Sequence, residues 1–469
     1  MSDLSYASAS ELAGLVRTGA LSASELLDAQ LARVDRLDST LNAIPTRDWR
    51  GARRAARAAD AAVARGEPLG PLHGIGMTLK DSHAVAGMRS TVGVPGVGDR
   101  IPDRDGTVAA RVRAAGAIVI GKTNVASWLY DVQTDSELFG RTNNPWDRRR
   151  TPGGSSGGSA AVVAAGISPI EVGSDLGGSV RIPAAFCGVV GFKPTEGRIP
   201  ETGHMEIGRP RSHLIMESIS PLARTVRDVR VLYSILAGPD GVDPTVPPVP
   251  VRPAARVTPR RLRVAVATSL PERDGPRVGG AIRDAVLRVA QSLDEAGARV
   301  DATLPDVDWE DQRAVRGRLF RQAHDVFSPD DPGRTVALAD YLRDIDARST
   351  FIAAWEAFFD EWDVLLCPAT NRSAFEHCPM GTPYQVDGVT VEYWAIERLV
   401  QPFNFIGAPA IALPAGLDES GLPIAVQLVT RRWGDDRLLD IAEAVEPMAG
   451  GFRPPPLDDP GRPARTVES

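Results

Sequence analysis

Three segments of this 469-residue chain combine serine, glycine and lysine in patterns that could support attack on a carbonyl group. Residues 153–159 read Gly-Gly-Ser-Ser-Gly-Gly-Ser, and residues 173–183 read Gly-Ser-Asp-Leu-Gly-Gly-Ser-Val-Arg-Ile-Pro. Lys80 ends an apolar run at residues 75–79. A serine hydroxyl becomes a nucleophile when a nearby base accepts its proton, and a buried lysine with a lowered pKa can be that base. These residue types indicate nucleophilic catalysis by serine.

Lysine is rare in the chain, which draws attention to Lys80. Only three of the 53 basic residues are lysine, at positions 80, 122 and 193, and the others are arginine. A compositional bias towards arginine accounts for the excess. Under such a bias, a lysine that persists marks a position where arginine cannot substitute, because lysine can lose its proton when buried and arginine effectively cannot. The candidates for a neutral amine base are therefore these three positions.

Each segment taken alone also has a structural interpretation. The glycine- and serine-rich run could be a flexible linker or a phosphate-binding loop, although it lacks the Gly-Lys-Ser/Thr ending of a P-loop. Ser179 could cap the helix that follows it, and Lys80 could form an ion pair with Asp81. If Ser179 is a nucleophile at the start of a helix, the backbone N–H groups there would stabilise an oxyanion on the attacked carbonyl.

Alternating strand and helix patterns surround these segments and predict an α/β fold in which helices cover both faces of a central mixed β-sheet. Capping boxes at Ser8 and Ser22 predict two N-terminal helices. Further helices are predicted at 49–65, 107–115, 159–165, 278–296, 313–327, 351–360 and 435–445. Strands are predicted at 75–79, 117–121, 170–173, 262–267, 300–304, 364–367, 410–413 and 424–429.

Composition and charge narrow the functional class. Hydrophobic residues make up 43% and charged residues 24%, which is typical of a soluble globular protein, and the net charge of −7 offers no basic field for nucleic acid. Three cysteines suit a reducing cytoplasm better than a disulfide framework. No close cluster of histidine, cysteine and carboxylate residues indicates a metal site. The start resembles no signal peptide, and the longest uncharged stretch, 151–170, is a poor membrane span. We therefore expect a cytoplasmic protein with no metal, no cofactor and no nucleic-acid or membrane partner.

In their order and spacing, the three segments resemble the amidase signature family. The family pattern is a lysine at a strand end, a Gly-Gly-Ser-Ser-Gly-Gly loop, and then Gly-(Ser/Thr)-Asp-x-Gly-Gly-Ser-x-Arg-x-Pro. Here 75 residues lead from Lys80 to Ser155 and 24 from Ser155 to Ser179, and both spacings fit the family. The clear resemblance covers about residues 70–235, and the order of elements fits over the whole chain.

The resemblance implies one amidase signature domain over residues 1–469. Its parts would be an N-terminal helical segment at about 1–66, a signature core at about 70–235 and a Pro-rich stretch at about 239–259. That stretch could be a domain linker, but we favour a surface loop because no second complete core follows it.

The resemblance also implies a role for each catalytic residue. Ser179 would be the nucleophile, and Ser155, which would follow a cis peptide bond after Gly154, would relay protons between Ser179 and Lys80. Lys80 would enter the reaction uncharged and act as general base. The backbone N–H groups that would hold the oxyanion are those of Leu176, Gly177, Gly178 and Ser179.

Other residues of the pattern receive structural roles. Asp175 and Arg181 would pair and brace the nucleophile loop. Lys122 and Lys193 match family positions outside the triad and would be structural. Cys187 lies among small apolar residues, which favours core packing over reactivity.

The substrate pocket is the least determined part of the site. Residues 127–131 depart from the common Asn-Glu-Phe pattern of the family in a region that borders the acyl pocket, so we predict Trp128, Tyr130 and Asp131 as pocket residues. Asp131 could contact a polar or cationic substrate group, or it could be solvated or brace a helix. Trp394 could supply another pocket wall or belong to the core.

Three functions fit these observations. The first is an amidohydrolase that cleaves a carboxamide, or also an ester, of a small molecule through an acyl-enzyme on Ser179. The second is the glutaminase subunit of a tRNA-dependent amidotransferase, whose usual Tyr-rich glutamine-site segment is not found here. The third is an acyl-transferring biosynthetic enzyme in which an amine replaces water. The expected partner is a small-molecule amide, and a homodimer is left open.

Overall fold

A mixed eight-stranded β-sheet forms the centre of the protein. The structure is a computed structural model that describes residues 4–97, 100–205, 215–271, 275–325 and 335–457. The strands are β1 (Thr46–Arg47), β2 (Gly76–Lys80), β3 (Ile118–Thr123), β4 (Asp135–Ser136), β5 (Gly140–Arg141), β6 (Ile170–Ser174), β7 (Val190–Lys193), β8 (Ile219–Ala223), β9 (Arg263–Val266), β10 (Arg299–Ala302), β11 (Val364–Pro368), β12 (Tyr384–Val386), β13 (Val389–Val391), β14 (Ala410–Leu417) and β15 (Pro423–Val429).

Helices cover this sheet. They are α1 (Ala9–Arg17), α2 (Ala23–Leu41), α3 (Trp49–Ala64), α4 (Thr107–Ala114), α5 (Gly157–Ala164), α6 (Arg181–Cys187), α7 (Val226–Leu236), α8 (Gly280–Glu295), α9 (Trp309–Asp325), α10 (Leu338–Glu361), α11 (Gln401–Phe405) and α12 (Asp435–Ala449). Short 3₁₀ helices include Ser127–Leu129 and Tyr393–Leu399. Within the described ranges, no helix has the length and apolarity needed to cross a bilayer.

The strand order of the central sheet is β10-β9-β11-β15-β14-β7-β8-β6. β10, β9 and β11 run parallel to one another, whereas the pairs from β11·β15 to β8·β6 are antiparallel. A second sheet has the order β1-β3-β2, and β2 packs against β6 at the end of the central sheet. The predicted mixed sheet is confirmed, and this packing brings the ends of β2 and β6 together.

Both faces of the central sheet are buried, which explains the nearly continuous apolar sequences of its strands. In β14, Ile411 and Leu413 join a large core cluster that includes residues of α7, α8 and α12. Ala412, between them, joins the opposite cluster with the alanines and valines of α5. Because successive side chains point to opposite faces, one strand fills two cores. The helices on both faces match the predicted fold class.

The N-terminal helices begin at the predicted residues. The Ser8 and Ser22 hydroxyls accept from the N–H groups of Glu11 and Glu25, and the glutamate carboxylates accept from the serine N–H groups in return. Each reciprocal pair satisfies two backbone donors that the first turn leaves free. Both capping boxes are confirmed.

Several boundaries differ from the sequence predictions. α10 begins at Leu338 instead of 351. Its first half is charged and largely exposed, and the sequence prediction missed it although Leu338, Tyr341, Leu342 and Ile345 recur at helical spacing. α5 begins at Gly157, two residues before the prediction, and α9 begins at Trp309; its predicted end at 327 lies outside the described residues. β7, β8 and α7 were not predicted, and both strands contain a glycine or proline that weakens the strand pattern.

Candidate active site

Lys80 and Ser155 form the centre of the site. Lys80 is the last residue of β2, and its side chain is completely buried. Its Nζ donates to Ser155 Oγ at 2.8 Å, to Ser174 Oγ at 3.1 Å and to the Ser174 carbonyl at 3.4 Å. The peptide bond between Gly154 and Ser155 is cis. Two hydroxyls and a carbonyl thus surround one amine, and one of those hydroxyls belongs to the predicted relay serine.

Gly154 fits its place only because it has no side chain. A side-chain carbon there would lie 2.2 Å from the Gln133 carbonyl oxygen and 2.5 Å from that of Asp131, far inside van der Waals contact. The serine loop therefore rests directly on the backbone of residues 131–133. Beyond it, the Ser156 N–H donates to the Ser179 carbonyl at 3.1 Å. These contacts bring the two serine loops together above the end of β2.

Ser179 lies in the turn between β6 and α6 and is half-buried. Val180 occupies the N-cap position of α6, and no side chain caps that helix. The alternative in which Ser179 serves as a helix cap is therefore wrong. Within the described ranges, the Ser179 hydroxyl has no hydrogen-bond partner. The preceding Gly178 has a φ of +105°, a conformation that favours glycine.

One of the four predicted oxyanion donors is already engaged in a hydrogen bond. The Gly178 N–H donates to Asp175 Oδ1 at 2.9 Å, so this group is already engaged. The N–H groups of Leu176, Gly177 and Ser179 have no acceptor in the part of the chain that the structure describes. Free backbone donors next to a nucleophile could bind a developing oxyanion. Three of the four predicted donors are thus free for that purpose.

Asp175 and Arg181 form a buried ion pair under the loop that carries Ser179, which lies between β6 and α6 and is called the nucleophile loop after its predicted role. Arg181 Nη2 lies 2.8 Å from Asp175 Oδ1, and neither side chain is exposed. Asp175 also accepts from the N–H groups of Gly178, Val180 and Arg181. Burial opposes ionisation of this carboxyl, but Arg181 holds its pKa well below the ordinary value. The pair ties the loop to the first turn of α6.

All three lysines are completely buried, as the composition suggested. Burial lowers the pKa of Lys80 to about 8, that of Lys122 to about 8 and that of Lys193 to about 7. Lys122 Nζ donates to the Asp81 carbonyl at 2.7 Å and lies 3.6 Å from Asp81 Oδ1. Asp81 is therefore the partner of Lys122, and the proposed Lys80–Asp81 ion pair is wrong.

Lys193 and Cys187 lie in packed surroundings. The Lys193 amine donates to the Pro194 carbonyl at 2.9 Å. Cys187 is completely buried, and burial raises the pKa of its thiol far above the ordinary range. A thiol that stays protonated is a poor nucleophile.

The predicted pocket residues meet on one side of the site. The rings of Tyr130 and Trp394 lie 5.7 Å apart, and Tyr130 stacks at 6.4 Å on Phe320 of α9. Tyr130 and Trp128 are exposed, whereas Asp131 is half-buried and accepts from the Tyr393 hydroxyl. Burial raises the pKa of Asp131. The segment that carries these residues continues directly into the backbone beneath Gly154.

Three polar residues that the sequence did not single out converge on the nucleophile loop. A side-chain carbon at Gly177 would lie 3.6 Å from Arg316 Nη2 and Gln401 Nε2 and 3.7 Å from Glu397 Oε1. Glu397 accepts from Gln401 at 2.5 Å, and burial raises its pKa to about 7. Arg316 and Gln401 also line a small pocket together with Trp309 and Phe405. No periodicity marks these residues; only the prediction of a pocket wall near Trp394 pointed to their neighbourhood.

In the described residues, no group of histidine, cysteine and carboxylate side chains is placed to hold a metal ion. A buried amine that donates to one serine hydroxyl, a second, half-buried serine and backbone N–H groups without acceptors in the described ranges can support acyl transfer of the Ser-Lys type.

Comparison with known proteins gives consistent matches over nearly the whole chain. A family model described as Amidase matches residues 25–328 and 332–439. An indoleacetamide hydrolase from Bradyrhizobium diazoefficiens is 35% identical over 462 residues, which cover 94% of this chain and 86% of that protein. A glutamyl-tRNA(Gln) amidotransferase subunit from Salinispora arenicola is 33% identical, and the match covers 97% of this chain and 100% of that protein.

A solved structure matches the fold over a similar share of the chain. A solved structure of 6-aminohexanoate cyclic dimer hydrolase complexed with substrate superposes with a TM-score of 0.82 and 30% sequence identity. The match covers 97% of this chain and 99% of that chain.

Proposed function

The chain belongs to the amidase family of hydrolases that act on amide C–N bonds, and we propose that it cleaves the carboxamide bond of a small molecule through an acyl-enzyme on Ser179. The observation that carries this proposal is the 2.8 Å hydrogen bond between the buried Lys80 amine and Ser155, beside the loop of Ser179. A lysine whose pKa is lowered to about 8 has a substantial neutral fraction near neutral pH.

The first half of the reaction forms the acyl-enzyme. Neutral Lys80 takes the hydroxyl proton of Ser155, and Ser155 takes that of Ser179 as Ser179 Oγ attacks the carbonyl carbon. The negative charge on the carbonyl oxygen is stabilised by the free N–H groups of Leu176, Gly177 and Ser179. Ser155 then gives a proton to the leaving nitrogen and recovers one from Lys80. The C–N bond breaks, and the acyl group remains on Ser179.

The second half repeats these transfers with water. Lys80 is neutral again and, through Ser155, takes a proton from the water that attacks the acyl-enzyme ester. Collapse of the second tetrahedral intermediate releases the carboxylic acid and returns the proton to Ser179. No proton is gained or lost by the enzyme over the cycle.

We place the acyl pocket between the nucleophile loop and the aromatic side chains of Tyr130 and Trp394. Glu397 and Arg316 add polar groups to the same side of Gly177. An apolar wall with a few fixed polar groups suits a small acyl compound of mixed polarity. An ester with the same acyl group would be cleaved by the same steps, because only the leaving group differs.

The similarity to a tRNA-dependent amidotransferase keeps a second function open to test. A glutaminase subunit would copurify with a tRNA-binding partner and depend on it for glutamine hydrolysis. A stand-alone amidase hydrolyses simple amides as the purified chain. An acyl transferase would form an N-acyl product faster than free acid when an amine is added.

The decisive experiment is a panel of aliphatic, aromatic and amino-acid amides assayed with the purified chain. We expect Ser179→Ala and Lys80→Ala to lose most amide turnover. Lys80→Arg should fail almost as completely, since arginine stays charged. Ser349→Ala, on the exposed face of α10, is the matched control and should keep wild-type turnover. Full activity in either Ser179→Ala or Lys80→Ala would contradict the assignment, as would labelling by a fluorophosphonate at a serine other than Ser179.

A further inference from the structure

Further buried polar groups adjoin Lys80 besides Ser155. Ser174, the last residue of β6, receives a hydrogen bond from Lys80 Nζ at 3.1 Å. Glu217 directly precedes Ser218, whose backbone pairs with that of Asp175, the residue after Ser174, at 2.9 Å and 3.2 Å. Burial opposes ionisation of Glu217, but its interactions with His204, Lys80 and Ser174 hold its pKa below the ordinary value. His204 Nε2 lies 3.0 Å from Glu217 Oε1. Lys80, Ser174, Glu217 and His204 are all at most 4% exposed.

Backbone pairing fixes this group in place. The segment around His204 forms an isolated antiparallel bridge with His83, three residues after Lys80. The Ala84 N–H donates to the Gly203 carbonyl at 2.7 Å, and the Met205 N–H donates to the Ser82 carbonyl at 3.0 Å. The His83 and His204 rings pack with their centroids 5.1 Å apart. His204 is therefore held by the same stretch of chain that carries the base.

A buried base that accepts a proton needs a negative charge nearby. When Lys80 takes the proton of Ser155, an ammonium forms where water cannot solvate it, which is costly unless a counter-charge faces it. Glu217 is the strongest of the charges that favour the protonated amine, ahead of Asp175 and Glu171. The charged and titratable groups around Lys80 are Glu217, Asp175, Glu171, His83, His204 and, beside His83, Lys122.

The other two carboxyls are less suited to this role. Asp175 is committed to Arg181 at 2.8 Å. Glu171 accepts from the Thr123 hydroxyl and the Val172 N–H, and burial raises its pKa to about 7, which keeps it partly protonated near neutral pH. His83 is held uncharged, chiefly by burial, since its pKa lies well below the ordinary value. Glu217 remains as the ionised carboxylate that can respond to Lys80.

We propose that Glu217, held by His204 and acting through the Ser174 hydroxyl, is a positioning residue that orients the Lys80 amine and stabilises its ammonium form during acyl transfer. The inference rests on the proposed function of Lys80 as general base. Removal of the Glu217 charge should make Lys80 a weaker base, because the charged form of the amine loses its partner.

The lysine content of the chain allows a direct test without any substrate. Full-length protein labelled with [ε-¹³C]lysine should give three lysine resonances, and Lys80→Ala identifies the one from Lys80. In Glu217→Gln we expect the titration midpoint of Lys80 to fall by roughly one pH unit, the size typical of losing an opposite charge nearby. Glu217→Asp, which keeps the charge, should restore part of the shift. Asp440→Asn, which breaks a buried ion pair with Arg230, should leave the Lys80 midpoint unchanged.

The pH dependence of Ser179 labelling by a fluorophosphonate is the second readout. Its acid limb should move to lower pH in Glu217→Gln by the same amount as the Lys80 resonance, and its plateau should fall because the base is weaker. If Glu217→Gln does not fold, the double variant Glu217→Gln/His204→Gln replaces it, because removal of both partners leaves no unpaired buried charge; a lower Lys80 midpoint is again expected, since the carboxylate is absent.

The outcomes separate the two proposals. An unchanged Lys80 midpoint in Glu217→Gln, or in Glu217→Gln/His204→Gln where that variant replaces it, would overturn the inference and leave the proposed function intact. Wild-type protein that neither hydrolyses amides nor labels at Ser179 would overturn the proposed function. The lysine resonance would still report whether Glu217 acts on Lys80.

Discussion

The ion pair beneath the nucleophile loop yields a sharp prediction for Asp175→Asn. Asp175 and Arg181 are both unexposed, and their contact is 2.8 Å. The substitution keeps the size of the side chain but removes its charge, so Arg181 stays buried without a counter-charge. Loss of one partner of a buried pair costs about 3–5 kcal/mol in the free energy of unfolding. The backbone N–H groups of Gly178 and Val180 also lose a charged acceptor, which places the expected loss at the upper end of that range.

The assay is equilibrium unfolding in urea, followed by fluorescence and circular dichroism. The matched control is Asp301→Asn, which removes the same charge from an exposed pair with Arg299, also 2.8 Å long. That control should change the free energy of unfolding by less than about 0.5 kcal/mol. The double variant Asp175→Asn/Arg181→Met should lose less free energy of unfolding than the two single variants lose in sum, because no charge remains unpaired.

The pH dependence of the free energy of unfolding is an independent test of the contribution of ionised Asp175. The folded pKa of Asp175 is lowered from an ordinary value of 3.8, so its ionised form stabilises the fold at pH values above that value. This contribution disappears as the pH falls towards the folded pKa. The stability deficit of Asp175→Asn should therefore be constant near neutral pH and shrink below about pH 4. A deficit no larger than that of Asp301→Asn would refute the reasoning.

Two further predictions follow from the same site. The kcat/KM for an uncharged amide should rise with pH through about 8, because the proposed mechanism needs Lys80 in its neutral form and burial lowers its pKa to about 8. A flat profile from about pH 6 to 9 would contradict this. Gly154→Ala should abolish turnover, because the new carbon would lie 2.2 Å from the Gln133 carbonyl oxygen. Gly14→Ala, in α1 with open space around it, should instead stabilise the protein by up to about 1 kcal/mol in urea unfolding. Retained turnover in Gly154→Ala would show that the serine loop can move away from the backbone of residues 131–133.

Local sequence was sufficient for the features that depend on neighbouring residues. The capping boxes at Ser8 and Ser22, the strand that ends at Lys80 and the turn that holds Ser179 all follow from residue types within a few positions, because hydrogen bonds and side-chain periodicity act over that range. The rarity of lysine also indicated buried amines at all three positions. The first half of α10 was missed although Leu338, Tyr341, Leu342 and Ile345 recur at helical spacing, because the charged residues between them weaken that pattern.

Tertiary structure alone decided which charges surround those residues. Asp81 follows Lys80 directly in the chain, yet the fold pairs it with Lys122 and leaves Lys80 hydrogen-bonded to Ser155 and Ser174. Arg316 and Glu397 reach Gly177 from separate helices. The physical reason is that burial strengthens an electrostatic interaction according to distance in space, and the packing of distant strands and helices sets that distance.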